Sequence, residues 1–444
     1  MTHSLPENVT ATAVVGADTD APAPPRRLAR LYVTLPAANI ALYLLWLGVG
    51  SFLLPIQVAQ ITGTNDTSAL STASTTGAVL ATIGNPVFGQ LSDRTRSRFG
   101  RRAPWILLCA LLGALALVAQ AHATSIATLG LSWGVVQFIM NGYQAALTAA
   151  MPDRVPAARY GTFSALVGLG VRVPLGTIAA ALIIGGVPGT KFGLDGVIGG
   201  FGGRFAGANG YYLTAAVIVA AALVFVVLSP DRDARDLPRE PFSLREFLGG
   251  FWVSPRRHPD FGWAFVSRLG VMLGYFIVLT YNLYLLADYI KVPPQDLLPT
   301  VGFLMVVNAL CTVAATVLLG PLADKVGRVK PFVFASGVVA ALALALPVLW
   351  PTQGGMLTYN VVGGLAFGAY MAVDMALITK VLPRAADVGK DMGVINIANA
   401  GPQILAPTLA GWIVAAGGYE ALFPVAAAVS LVGALGVLRV RGVR

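Results

Sequence analysis

The chain has 444 residues, 56% of them hydrophobic and only 11% charged, with a mean hydropathy of +0.74. Soluble domains carry about 25% charged residues, so composition excludes an ordinary soluble fold. The net charge of +10 would suit nucleic acid if the basic residues formed a face, but they stand in short loops between apolar runs. They read as topology signals facing anionic lipid headgroups, and no nucleic-acid partner is expected. Cys109 and Cys311 both lie inside apolar runs, far from metal-like spacing, and read as small packing residues. Neither a metal site nor a cofactor is expected.

In chain order, residues 1–30 read as a disordered cytoplasmic tail rich in Thr, Ala and Pro, with no signal peptide. Arg26, Arg27 and Arg30 close it and hold this end inside. Twelve apolar runs follow, each near the roughly 20 residues that a span needs. The first six cover 35–58, 69–91, 104–122, 126–150, 161–186 and 210–229. The second six cover 262–287, 298–320, 331–350, 355–378, 393–416 and 420–438. Of 30 Lys and Arg, 25 then fall on the cytoplasmic side. The exceptions are Lys191, Arg204 and Lys291 outside, and Arg172 and Arg268 within spans. Shifting the count by one helix destroys this bias, so both termini are expected in the cytoplasm. Residues 31–229 and 261–444 are expected as two six-helix bundles, all-α and embedded in the bilayer. The linker 230–260 carries six arginines, and its Phe247, Phe251 and Trp252 are expected along the membrane surface. The Gly-dense loop 187–209 is expected outside.

Gly89 to Trp105, GQLSDRTRSRFGRRAPW, holds five arginines and one aspartate between two apolar runs. A second version, GPLADKVGRVKP, spans Gly320 to Pro331. Gly89, Leu91 and Asp93 correspond to Gly320, Leu322 and Asp324 at an offset of 231 residues. Tyr143–Pro156 aligns without gaps to Tyr370–Pro383 at an offset of 227. The chain is therefore two copies of one membrane unit. The hairpins resemble the loop of the major facilitator superfamily between helices two and three, repeated between helices eight and nine. SDRTRSRFGRR and PDRVPAARYG resemble most the sugar:cation symporter branches, the glycoside–pentoside–hexuronide and sucrose-type families.

Ionisable residues inside a membrane are costly enough to mark function. Asp374 is the acidic residue that lies well within a predicted span, with Asp288 and Asp260 at the two ends of helix seven. Arg172 lies about eleven residues into helix five, roughly 16 Å deep, in GLGVRVPLG, and needs water, a carboxylate or an anionic substrate. Backbone carbonyls and amides would also satisfy it. Its counterpart in the other half is Asn399. The resemblance implies that helices one, four, seven and ten line a cavity, which would let Asp374 pair with Arg268. That pair is either the proton-coupling site or a structural bridge between helices. Gln137, Asn141 and Gln144, spaced i, i+4, i+7, form one polar stripe on helix four. With Asn39, Tyr43, Tyr281, Asn282, Tyr370, Arg172 and Asn399 they are the candidate substrate-binding residues. Amides hydrogen-bond hydroxyls and rings stack on sugars, but such residues also join helices in any bundle.

The resemblance further assigns Asp93, Arg94, Arg101, Arg102, Asp324 and Arg328 to a conformational gate, each aspartate capping a neighbouring helix and holding the inner face closed. Sodium-coupled relatives carry acidic residues on helices two and four; here there are none, so no sodium site is expected. No nucleophile–base set or phosphate loop points to an enzyme. The expectation is a monomeric secondary transporter in the cell membrane, importing a sugar or glycoside with protons. The alternative is an exporter of small hydrophobic or natural-product molecules.

Overall fold

The structure is a computed structural model that describes residues 25–155, 169–184, 205, 207–236, 258–326, 329–381 and 388–440. Among these residues the chain is helical and contains no strand. The linker aromatics Phe247, Phe251 and Trp252, the 187–204 part of the long loop, and Arg328 lie outside the described residues. Twelve helical segments follow in order. They are α1 (Pro25–Gly48, prolonged by a π turn at Val49–Leu53 and by Leu54–Thr62), α2 (Thr67–Arg94) and α3 (Ala103–Ala121). Next come α4 (Ile126–Arg154), α5 (Leu169–Ile183) and α6 (Ala208–Leu228). The second half repeats the pattern with α7 (Pro259–Thr280, then Asn282–Tyr284 and a π turn at Leu285–Tyr289) and α8 (Pro294–Val326). It ends with α9 (Lys330–Ala343, then Leu346–Leu349), α10 (Gln353–Val381), α11 (Val388–Gly417) and α12 (Leu422–Leu438).

Local chemistry explains the ends. The left-handed Gly63 (φ +72°) stops α1, and the Asp66 carboxylate accepts from Ser68 N (2.9 Å) and Ala69 N (3.0 Å) to start α2. Pro259 and Pro331 stand in the first turns of α7 and α9, where no backbone donor is lost. Helix α1 begins at Pro25, so it takes in the end of the stretch expected as tail. Leu28 and Leu31, one turn apart, are buried there and tie that turn to the bundle.

Among the described residues, eight helices are long and apolar enough to cross a membrane by themselves. The others, α2, α4, α5 and α11, do not lie on the lipid side alone. Helix α2 packs on α11 and α5 on α8, so these four-helix contacts join the two bundles, while α4 carries the amide stripe. Within the bundles, α2 packs on α4 and α7 on α12. An ideal Cβ at Gly270 of α7 would lie 2.7 Å from the Gly433 Cα of α12, so only this small pair permits the approach. Leu115, Val227, Leu318 and Trp412 are among the large apolar side chains left on the outer girdle, facing the lipid.

The Arg-rich α2–α3 turn defines the inner face. Four hydrogen bonds between described residues join the bundles, and they lie towards the opposite, outer face. Tyr281 OH donates to Thr67 O (2.7 Å), Tyr284 OH to Pro55 O (3.1 Å) and Asn65 Nδ2 to Asp288 Oδ1 (3.0 Å). The hydroxyls of Thr75 and Thr408 meet at 2.6 Å. The ion pairs near the inner face close within one bundle: Arg102 with Asp93 and Asp153, and Arg268 with Asp374. The outer ends of the bundles are thus drawn together.

Candidate functional site

The chemistry concentrates on the seam of α7 and α10. Tyr370 and Asp374 are one turn apart on α10 and share a face. Arg268 stands nine residues into α7, about 14 Å from its start, on the side turned to them. Its Nη1 donates to Asp374 Oδ2, and the Tyr370 hydroxyl donates to Asp374 Oδ1 at 2.7 Å. The Arg268 and Asp374 side chains are 1% and 3% exposed. Val271, Met272, Val373 and Leu377 enclose them. Both carboxylate oxygens therefore receive donors.

Farther along the same seam, Tyr275 stacks on Phe367 (4.1 Å between centroids, 7° between planes). Asn308 Nδ2 donates to Asn360 O at 3.1 Å. Tyr275, Asn308, Tyr359 and Ser430 line a cavity of about 20 Å³, room for one water. The aligned segment of the first half differs. In the aligned segments Tyr143 matches Tyr370, and Leu147 stands where Asp374 does. Tyr143 is fully buried, and its hydroxyl has no partner among the described residues. The duplication shares the tyrosine but not the carboxylate.

At the inner face, Arg102 is the centre of a second group. It pairs with Asp93 (2.5 Å) and, through Nε, with Asp153 (2.8 Å), and donates to Ser92 Oγ (2.5 Å). Arg101 shares Asp153 at 2.9 Å. Burial alone would lower the Arg102 pKa, but Asp153 and then Asp93 outweigh it and the net shift is upward. Arg154 is shifted downward by burial, which Asp231 only partly offsets. The Asp231 carboxylate accepts from Arg102 N at 3.1 Å and so caps α3. The expected gate residues Asp93, Arg101 and Arg102 come together here. Arg94 ends α2 and is exposed. Asp324 lies on α8 with its side chain outside the described set. Asp153 and Asp231 were not anticipated. Both follow or precede a proline-bearing turn at the end of a span, in MPDR and SPDR, a repeated string that could have signalled a shared role.

The remaining candidates scatter. Gln137, Asn141 and Gln144 are half-buried on α4. Asn141 Nδ2 donates to Gln137 O at 2.9 Å, while the Gln137 and Gln144 amides make no hydrogen bond among the described residues. Asn39 is buried and donates to Leu35 O at 2.9 Å. Tyr43 packs edge-on against Trp46 (5.1 Å) and under Gly176 of α5. Tyr281 is committed to the clasp with Thr67, Asn282 is buried beside it, and Tyr370 belongs to the ion pair. Arg172 and Asn399 lie on α5 and α11, with side chains outside the described set.

The family described as Major Facilitator Superfamily matches residues 37–297 and 295–443. No curated protein matches the chain. Among solved structures, a mutant of the nucleoside transporter NupG superposes with a TM-score of 0.72 at 15% identity, covering 92% of this chain and 99% of that one. A POT family transporter in complex with a thioalcohol-conjugated peptide gives 0.70 at 14% identity, covering 92% and 95%. A bacterial homologue of the human lysosomal transporter Spinster, inward-facing and occupied, gives 0.63 at 15%, covering 94% and 95%. At such identities these likenesses speak for the fold.

Proposed function

The chain belongs to the major facilitator superfamily, and on that premise we propose that it is a secondary transporter working by alternating access, importing a sugar or glycoside together with protons. The observation that carries the coupling is the buried group of Arg268, Asp374 and Tyr370. Asp374 takes up a proton when the seam opens; Arg268 is then freed, and the loaded form can reorient. The half-buried amides of Gln137 and Gln144, without hydrogen bonds among the described residues, support a cargo rich in hydroxyls. Arg172 and Asn399 complete the polar lining from the pseudo-symmetric helices α5 and α11. The cage around Arg102 sets the conformational equilibrium and not specificity. The protein sits as a monomer in the cell membrane with both termini in the cytoplasm.

Uptake of a panel of labelled sugars into proteoliposomes, with and without a pH gradient, tests this. The wild type should accumulate at least one sugar when the outside is acidified. Asp374→Asn should lose that accumulation but retain exchange at equal concentrations, since a neutral side chain imitates the protonated state. Full gradient-driven accumulation by Asp374→Asn would remove the buried carboxylate from the mechanism. Gradient-driven efflux by the wild type would favour the exporter reading, which the stacked Tyr275 and Phe367 rings would also suit.

A further inference from the structure

The outer face carries a carboxylate that the coupling chemistry does not use. Asp288 lies in the π turn that ends α7, exposed, with both oxygens engaged. Oδ1 accepts from Asn65 Nδ2 at 3.0 Å, and Oδ2 accepts from the Tyr419 hydroxyl at 3.0 Å. These partners differ in kind. Tyr419 stands between α11 and α12, in the same bundle as Asp288, whereas Asn65 belongs to the other bundle. The turn that presents Asn65 is short and fixed at both ends, by the left-handed Gly63 and by Asp66 capping α2. Beneath it, Tyr281 and Tyr284 of α7 donate to backbone carbonyls of the first bundle. Those neutral bonds end on carbonyls that already belong to helices, so the bond to Asp288 is the charge-assisted one of the set.

We infer that Asp288 is the latch of the outer mouth: Tyr419 seats its carboxylate, and Asn65 is the keeper that leaves when the bundles part. The inference rests on alternating access but not on the nature of the cargo or of the coupled ion. Helix α7 holds Arg268 near its inner end and Asp288 at its outer end, so one helix bears both the coupling charge and the latch. The α-helix of α7 stops at Thr280, and the short piece Asn282–Tyr284 and the π turn Leu285–Tyr289 carry Asp288. The latch can therefore open without dismantling the inner pair.

The test is reaction of a cysteine at Thr75, half-buried under the Thr408 contact, with a membrane-impermeant maleimide added outside. In a Cys311→Ala background it should react slowly when the latch is intact. Asp288→Ala should raise the rate about tenfold, as expected when a charge-assisted hydrogen bond no longer favours the closed mouth. Asn65→Ala should do the same from the other bundle, and the double variant should add little to the larger single effect. Asp296→Asn removes a carboxylate of the same face, exposed in the first turn of α8, and should leave the rate unchanged. An unchanged rate in Asn65→Ala, or equal acceleration by Asp296→Asn, overturns the latch. Asn65→Ala and Asp288→Asn keep the assignment open to refutation should Asp288→Ala fail to fold. The labelling reads the mouth and not the gradient, so its failure leaves the role of Asp374 standing, and loss of proton coupling leaves the latch standing.

Discussion

Single residues here work in pairs whose members cannot be changed independently. Breaking a buried ion pair from one side leaves an uncompensated charge, at a cost of about 3–5 kcal/mol. Arg268→Gln alone and Asp374→Asn alone should therefore both lower thermal stability in detergent. The double neutral variant should recover most of the loss; a double variant worse than either single would mean that the pair is held by something other than its charges. Gly100 makes a different bond with its neighbour. It has φ +87°, and a Cβ there would collide with the Asp231 side chain that caps α3. Gly100→Ala should cost more than about 1 kcal/mol and should mimic Asp231→Ala in a melting curve. A melting temperature equal to the wild type would show that the cap is dispensable. Of these groups, Arg268 and Asp374 were legible in the sequence because a charge within an apolar run announces itself. Asp231 was not, because a carboxylate in a polar loop looks like any other until the turn at Gly100 is seen to receive it.

Among elements, the helices are legible and their irregularities are not. Each expected apolar run coincides with a helix, but several helices overrun it, α1 starting at Pro25 against an expected 35 and α8 ending at Val326 against 320. The exceptions have a physical cause: α10 runs on to Val381, past the apolar run that ended at 378, because a helix need not stop where the membrane does. Asp374 thus lies about two turns from the end of its helix. The π turns in α1 and α7 leave no compositional trace, yet they occupy matching places in the two halves, Val49–Leu53 and Leu285–Tyr289. The close pair of α7 and α12 is testable at the same scale. Gly433 lies where a Cβ would sit 2.7 Å from Val271 N, so Gly433→Leu should force the helices apart, with a destabilisation of about 1–3 kcal/mol or more from overpacking. Because α7 carries Arg268, the variant should also lower gradient-driven uptake. Normal melting and uptake would show that the contact is not tight in the membrane.

For the whole molecule, the duplication was visible in the two hairpins, and packing shows what the differences between the copies do. Tyr143 and Tyr370 align, and only the second meets a carboxylate. The inner cage is likewise one-sided among the described residues, since Arg101, Arg102 and their partners all belong to the first half. Among the described residues, the second bundle thus holds the buried Arg268–Asp374 pair and the first holds the cage around Arg102. Orientation in the membrane follows from the same distribution of charge. On the proposed orientation the five arginines of the α2–α3 turn stay on the side of synthesis, and Phe99, 59% exposed in that turn, is expected in the cytoplasm. On the same reading Gly196 is expected outside. Cysteines introduced singly at these positions, in a Cys311→Ala background, should differ towards an impermeant maleimide. Gly196→Cys should react in intact cells, and Phe99→Cys only after the membrane is permeabilised. Moving the boundary of any one helix to the other side would bring both to the same face, because an odd number of spans separates them only if the helices between α3 and α5 all cross. Reaction of both in intact cells would therefore mean that one of those helices does not span, and the assignment of inner and outer faces, with the latch on one and the charge cage on the other, would have to be redrawn.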